Sequence, residues 1–182
     1  MNTSAAVTQE AEISIPAHDD ALYALIRSLT RQPEYFWGHD ELALQRDCRS
    51  VKWTRTENRT CGDALTLALR QDDGPGMISQ VTAQLCYAGY FCALCMATAE
   101  LICKACAIGG IDWEPAVARP VPTPTMSCSD ADLKIIVNNI ESLKQAVAKR
   151  PARLRCVDLP FGALRALGGR IKEQNCRAKA GL

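Results

Sequence analysis

Three short motifs hold most of the side chains capable of chemistry. Asn58-Arg59-Thr60-Cys61-Gly62-Asp63 leads into a β-rich run. Cys92-Ala93-Leu94-Cys95-Met96-Ala97-Thr98-Ala99 opens an apolar stretch with helical character. Arg150-Pro151-Ala152-Arg153-Leu154-Arg155-Cys156 follows an amphipathic segment. A Cys-Gly-Asp turn sets a thiol beside a carboxylate, and its glycine permits a tight backbone. A cysteine at a helix N-terminus has its thiolate favoured by the helix dipole, and Arg153 and Arg155 are expected to do the same for Cys156. Alone, each cysteine reads as a small buried hydrophobe. Together, Cys61, Asp63, Cys92 and Cys156 supply three sulfurs and one carboxylate, which suits a tetrahedral zinc site or the ligand set of an iron–sulfur cluster.

The remaining cysteines carry less. There are ten in 182 residues, the others at positions 48, 86, 95, 103, 106, 128 and 176. Cys92-x-x-Cys95 and Cys103-x-x-Cys106 stand too close together for a zinc ribbon, which needs roughly 15–20 residues between its pairs. On a helix, positions 92, 95, 99, 103 and 106 share one face, so Cys95, Cys103 and Cys106 read as core lining. Cys95 lies one turn from Cys92 and is the candidate for a resolving thiol. The N-terminal residues are polar, with no basic and apolar leader pattern, so the expected compartment is the reducing cytoplasm and not an oxidising, disulfide-forming one.

Composition narrows the partners. With 21 basic and 20 acidic residues there is no excess charge to attract a phosphate backbone, and at 5% aromatic content there is little for bases to stack on. Nucleic acid is therefore not expected. The apolar stretch from Leu85 to Ile111 raises a membrane reading, but Glu100 and Lys104 interrupt it. Each costs about 2.5–3.5 kcal/mol at a bilayer centre, so a buried helix is expected instead.

The motifs need elements to hold them. A helix is expected over residues 18–31, with Leu22, Leu25, Ile26 and Leu29 at helical spacing and Pro33 as the stop. Residues 50–56, 63–69 and 77–85 read as three antiparallel strands, the last two joined by the turn Gln71-Asp72-Asp73-Gly74-Pro75-Gly76. Tyr87-Ala88-Gly89 is expected to connect to a helix over 91–107. Four prolines make residues 112–128 a loop. Ser129-Asp130-Ala131-Asp132 caps an amphipathic helix to about 148, and a short helix over 161–167 ends at Gly168-Gly169. The predicted organisation is a disordered tail over 1–17, one domain over 18–170, and a frayed basic tail over 171–182.

These motifs resemble the IscU/SufU/NifU family of iron–sulfur scaffold proteins, and most of all its SufU-type branch. Asn58 to Asp63 matches the pattern Asn-Pro-x-Cys-Gly-Asp, with Arg59 at the proline. Cys92 to Ala99 matches Cys-x-x-Ser-x-Ala-Ser-Ala, with Cys95 and Thr98 at the serines, and Pro151-Ala152-Arg153 with Cys156 matches Pro-Ala-Arg-x-x-Cys in full. Leu22-Tyr23 and the segment from Pro33 to Gly38 are similar to the family's first helix and the turn after it, so the resemblance spans about residues 18–167. The long separation of Cys92 from Cys156, and Arg155 where IscU-type members have histidine, favour the SufU type. Phe91 replaces the usual glycine, and the Pro-rich stretch replaces a more helical segment.

The resemblance implies an α+β fold with a three-stranded antiparallel sheet and helices packed on one face. It implies that Cys61, Asp63, Cys92 and Cys156 converge as ligands for zinc or an iron–sulfur cluster at one exposed end. The function it implies is iron–sulfur cluster assembly, as a scaffold or as a zinc-bound acceptor of persulfide from a cysteine desulfurase, with a downstream apo-protein or cluster carrier as recipient. Cys61 and Cys156 are the expected sulfur acceptors, and Arg153 the steering residue. Enzymatic activity would amount at most to sulfur transfer, since no hydrolase or nucleotide motif is present. Two alternatives follow from the same residues: a structural zinc module serving as a binding protein, and a dithiol redox protein using Cys92 and Cys95.

Overall fold

The computed structural model describes residues 17–40, 42, 52–71, 83–109 and 131–179. The chain runs α1 (Ala17–Arg31), β1 (Phe36–Gly38), β2 (Lys52–Asn58), β3 (Asp63–Gln71), β4 (Ala83–Tyr90), α2 (Ala93–Gly109), α3 (Ala131–Val147) and α4 (Pro151–Lys179). The expected tail over 1–17 (apart from Ala17, which opens α1), the hairpin turn at 72–76 and the Pro-rich loop over 112–128 lie outside the described residues.

The class is α+β, as expected, but among the described residues the sheet has four strands in the order β1-β4-β3-β2. β2 and β3, and β3 and β4, pair antiparallel, whereas β1 pairs parallel with β4. β1 is only three residues long, too short for an alternating pattern to register in sequence. The third expected strand, described from Ala83 onward, ends later than expected, at Tyr90. Tyr87-Ala88-Gly89 is the middle of β4 and not a connection to the next helix. Tyr87 is buried among Leu65, Leu67, Leu69 and Leu85 on the face that packs with the helices, while Cys86 and Ala88 join Ala68 in a small cluster on the opposite face. With both faces buried, β4 offers no polar alternation to read.

α2 is the central helix. Cys95, Ala97, Ala99, Leu101, Ile102 and Cys103 are all buried, so it is apolar around most of its circumference, as a core helix must be. No helix among the described residues is long and apolar enough to cross a membrane. The two charges that interrupt this helix part company: Lys104 is exposed, and Glu100 is buried. The Glu100 carboxylate accepts hydrogen bonds from the Glu34 backbone N–H (2.6 Å), the Tyr35 backbone N–H (3.4 Å) and the Tyr87 hydroxyl (2.8 Å). One side chain thus fastens the segment entering β1, the middle of β4 and the core helix together. A buried carboxylate persists only when its lone pairs are met in this way.

The C-terminal third departs most from expectation. The short helix over 161–167 is part of a 29-residue α4 that takes in the Pro-Ala-Arg motif, crosses Gly168-Gly169 and continues to Lys179, through residues expected to form a frayed tail. Pro160 lies inside it, and a proline has no N–H to offer the carbonyl of Cys156 four residues earlier. Leu164, Leu167 and Ile171 carry the buried helical face across the glycine pair. Packing against the sheet outweighs the low helix propensity of these residues.

The buried acids of this core set a limit at high pH. Burial raises the thiols of Cys95, Cys103 and Cys106, the last to about 12, and raises the Tyr35 phenol to about 12 as well. In an unfolded chain the thiols titrate near 8.5. A raised folded value means that their contribution to stability is complete below about pH 8.5 and is lost as pH climbs toward 12. The melting temperature should therefore fall steadily from pH 9 to 11, and a melting curve unchanged over that range would refute buried thiols here.

Candidate functional site

The site is assembled by strand register. Asn58 and Asp63 are paired, so β2 and β3 are joined by the four residues Arg59 to Gly62. The Asn58 carbonyl accepts the backbone N–H groups of Cys61 (3.3 Å) and Gly62 (2.9 Å), and Gly62 has φ +74°, a left-handed conformation that glycine adopts without a Cβ penalty. Ala64 is paired with Tyr90, which brings Phe91 and Cys92 out of β4 beside Asp63. Gly89 has φ +131°, and a Cβ there would stand 2.2 Å from the Ala64 carbonyl oxygen, so only glycine allows β4 to lie this close to the strand carrying Asp63. α4 packs against β2, β3 and α2 and delivers Cys156 to within 2.9 Å of Cys61.

The ligand atoms of Cys61, Asp63 and Cys156 all lie within 4.8 Å of one another. The Cys61 and Cys156 sulfurs are 2.9 Å apart, well beyond a disulfide bond of about 2.05 Å. The Cys61 thiol donates to Asp63 Oδ2 at 3.4 Å, and the Cys92 thiol donates to the same oxygen at 3.4 Å. Asp63 Oδ1 accepts the Cys92 backbone N–H at 2.9 Å. Asp63 is thus the hub: buried, with one oxygen fixing the start of the helix segment and the other facing two thiols. Tetrahedral zinc with sulfur at about 2.3 Å spaces its ligands roughly 3.8 Å apart; the two 3.4 Å sulfur–carboxylate separations approach that scale, and the Cys61 and Cys156 sulfurs would have to part by about 1 Å to meet it.

Electrostatics differ from the sequence expectation. Burial raises the Cys156 thiol well above the ordinary range, and its hydrogen bonds with Cys61, Asp63 and Cys92 act in the same direction. Burial also raises Cys92, opposed by the backbone N–H of Cys95 at the helix start. The expected help from the arginines goes elsewhere. Arg155 Nη1 donates to Thr60 Oγ1 at 3.0 Å, tying the Cys61 turn to α4, and Arg153 is exposed on the first turns of that helix. Cys61 itself is exposed, Cys92 half-buried and Cys156 fully buried.

One contributor was absent from the expected set. Asn58 Nδ2 donates to Cys61 Sγ at 2.8 Å and lies 3.7 Å from Cys156 Sγ, while its Oδ1 accepts the Thr60 backbone N–H at 3.1 Å. The asparagine opening the motif is therefore both the turn-forming residue and a donor to two sulfurs. An Asn two residues before the N–H it accepts is a readable turn signature. Its contact with Cys156, 98 residues away, is not readable in sequence.

The fold is that of the NifU N-terminal domain. A NifU-like protein (N-terminal) from Brucella abortus matches with a TM-score of 0.54 over 86% of this chain and 99% of its own, at 16% identity. The crystal structure of a hypothetical protein matches with a TM-score of 0.55 over 83% of this chain and 98% of its own, at 20% identity. No protein-family model matches the chain. The zinc-dependent sulfurtransferase SufU of Bacillus subtilis (strain 168) is 32% identical over 108 residues, which cover 59% of this chain and 67% of SufU. The chain belongs to the IscU/SufU/NifU family.

Proposed function

We propose that this protein works in iron–sulfur cluster assembly as a zinc-held sulfur acceptor, taking persulfide sulfur from a cysteine desulfurase and passing it to a downstream apo-protein or cluster carrier. The observation that carries this reading is the convergence of Cys61, Asp63 and Cys156, with Cys92 on the same carboxylate and Cys61 at the surface. Membership in a family that includes a zinc-dependent sulfurtransferase supports it. Arg155 in place of the histidine of IscU-type members favours sulfur acceptance over a scaffold role. In this reading the setting is the cytoplasm, and the one domain extends over residues 18–170 with its Pro-rich loop.

The donor set, three thiols and a carboxylate, fits zinc. Bound by Cys61, Asp63, Cys92 and Cys156, the metal would keep the thiols deprotonated and order the turn that carries Cys61. The residues set up that site before metal binds: Asp63 holds the thiols of Cys61 and Cys92 in one orientation, and Asn58 presents an N–H to the sulfur of Cys61. Cys61 attacks the outer sulfur of the desulfurase persulfide, the desulfurase cysteine leaves as thiolate, and Cys61 carries the new persulfide. Cys156, 2.9 Å away, is the next thiol to which that sulfur can move. Arg153, exposed beside the site, steers the partner.

The test uses a cysteine desulfurase with cysteine and the folded, zinc-loaded protein, followed by mass spectrometry. The expected product gains one sulfur atom, and Cys61→Ala reduces the gain at least about tenfold. A structural zinc module has a closed set of ligands instead. Complete protection of Cys61 from alkylation in the zinc-loaded protein, together with no gain of sulfur, would establish that alternative.

A further inference from the structure

Cys95 is a fourth thiol that the proposed sulfur acceptor does not use. The Cys92 carbonyl accepts the Met96 N–H at 3.0 Å, the first hydrogen bond of α2, so Cys92 is the residue capping the helix and Cys95 stands three residues inside it. At a cap the side chain turns toward the backbone N–H of that third position, and here the Cys95 N–H does act on the Cys92 sulfur. With a radius of about 2.3 Å and a rise of about 1.5 Å, Cα atoms three residues apart on a helix stand about 5 Å from one another, inside the roughly 4.4–6.8 Å that a disulfide spans. Cys95 has no solvent exposure, while Cys92 is half-buried and shares Asp63 Oδ2 with Cys61. A sulfur on Cys92 is therefore reachable from the site, and Cys95, three residues further into the helix, is closed to solvent.

We propose that Cys92 and Cys95 form an internal sulfide-releasing pair, which converts a persulfide on Cys92 into free sulfide and a Cys92–Cys95 disulfide. The proposal deepens the acceptor reading and rests on it for the source of sulfur. Sulfur on Cys61 or Cys156 reaches Cys92 by exchange between neighbouring thiols. The Cys95 sulfur then attacks the inner sulfur of the Cys92 persulfide. The bond between inner and outer sulfur breaks, and the outer sulfur leaves with the electron pair as hydrosulfide. It takes up the Cys95 proton and departs as hydrogen sulfide. Cys95 is oxidised and the outer sulfur reduced by the same amount, so no outside oxidant enters. A dithiol reductant returns the pair to thiols. Burial shields Cys95 from bulk oxidants and thiols, leaving the intramolecular attack as its accessible reaction. Cys103 and Cys106 lie further along α2, two or more turns from Cys95, and take no part.

The experiment loads the full-length protein with inorganic polysulfide, removes the excess, and follows sulfide release and intact mass. Tandem mass spectrometry of the alkylated, unreduced peptide containing Cys92 and Cys95 then locates the bond. Wild type should release its sulfur and show the Cys92–Cys95 link, whereas in Cys95→Ala the persulfide should last at least about tenfold longer with no link. Cys95→Ser gives the same readout should the alanine variant not fold. A wild-type persulfide as durable as that of Cys95→Ala, or release accompanied by a Cys61–Cys156 link instead, would overturn the pair. Polysulfide needs no desulfurase, so the two readings fail separately. A chain that accepts no sulfur from a desulfurase, yet closes the Cys92–Cys95 bond after polysulfide, loses its acceptor role and keeps the pair.

Discussion

Protein prepared without chelators or oxidation should hold about one zinc per chain, and Cys156→Ala should hold less than roughly a tenth of that. The effect is large because Cys156 is the fully buried member of the proposed ligand set, reached by the Cys61 sulfur at 2.9 Å and by Asn58 at 3.7 Å. Residues that merely orient a ligand typically change metal affinity 10–100-fold, so loss of a ligand should exceed about a hundredfold. Cys92→Ala should behave alike. The pH dependence has a definite sign. Burial raises the thiols of Cys156 and Cys92 in the metal-free protein, so both are protonated near neutrality and zinc must displace those protons. Affinity should rise with pH through the neutral range and fall on acidification. Competition with a chromogenic chelator at several pH values measures both effects. Zinc content unchanged in Cys156→Ala would remove that residue from the ligand set.

Gly89→Ala should be the most damaging single methyl group in the described sheet. Its φ of +131° is unfavourable for any residue with a Cβ, and the added atom would meet the Ala64 carbonyl oxygen at 2.2 Å. Backbone strain of this kind costs about 1–3 kcal/mol and overpacking a similar amount, so a total near 3–4 kcal/mol is expected. For a chain of this size that corresponds to a melting temperature lower by roughly 10 °C. Zinc should be lost as well, because the β3–β4 contact at Gly89 sets the approach of Cys92 to Asp63. Gly62→Ala is the comparison. Gly62 also has positive φ but nothing within 4 Å of the added atom, so the loss should stay near 1–2 kcal/mol. Equal melting temperatures for Gly89→Ala and wild type would show that β4 and β3 do not approach as described.

How much of this was legible in sequence depended on whether its cause was local. Cys61, Gly62 and Asp63 are consecutive, so their turn and its chemistry could be read directly. The convergence of Cys92 and Cys156 on them was legible only through motif context. β1 escaped because three residues carry no period. Its place rests on contacts distant in sequence, among them the Tyr35 carbonyl accepting the Tyr87 N–H at 3.1 Å. α4 escaped because Pro160, Gly162, Gly168 and Gly169 are local helix breakers, overridden by buried contacts from Val157 to Ile171. The direction of Arg155 escaped too. Position alone suggested service to Cys156, but its partner is Thr60, 95 residues away.

The strand order has one more consequence. Open sheets invite other chains to add a strand, and proteins guard against this at their borders. Here one border is β1, too short to template anything. The other is β2, whose exposed Arg55 and Glu57 form an ion pair along the margin. Farther along β2, Arg170 reaches over from α4 to donate to the Trp53 carbonyl at 2.8 Å, with its guanidinium 5.5 Å from the centre of the indole ring. A newcomer chain would have to displace that arginine to gain the carbonyl. Among the described residues, both margins are thus poor templates for edge-to-edge strand addition.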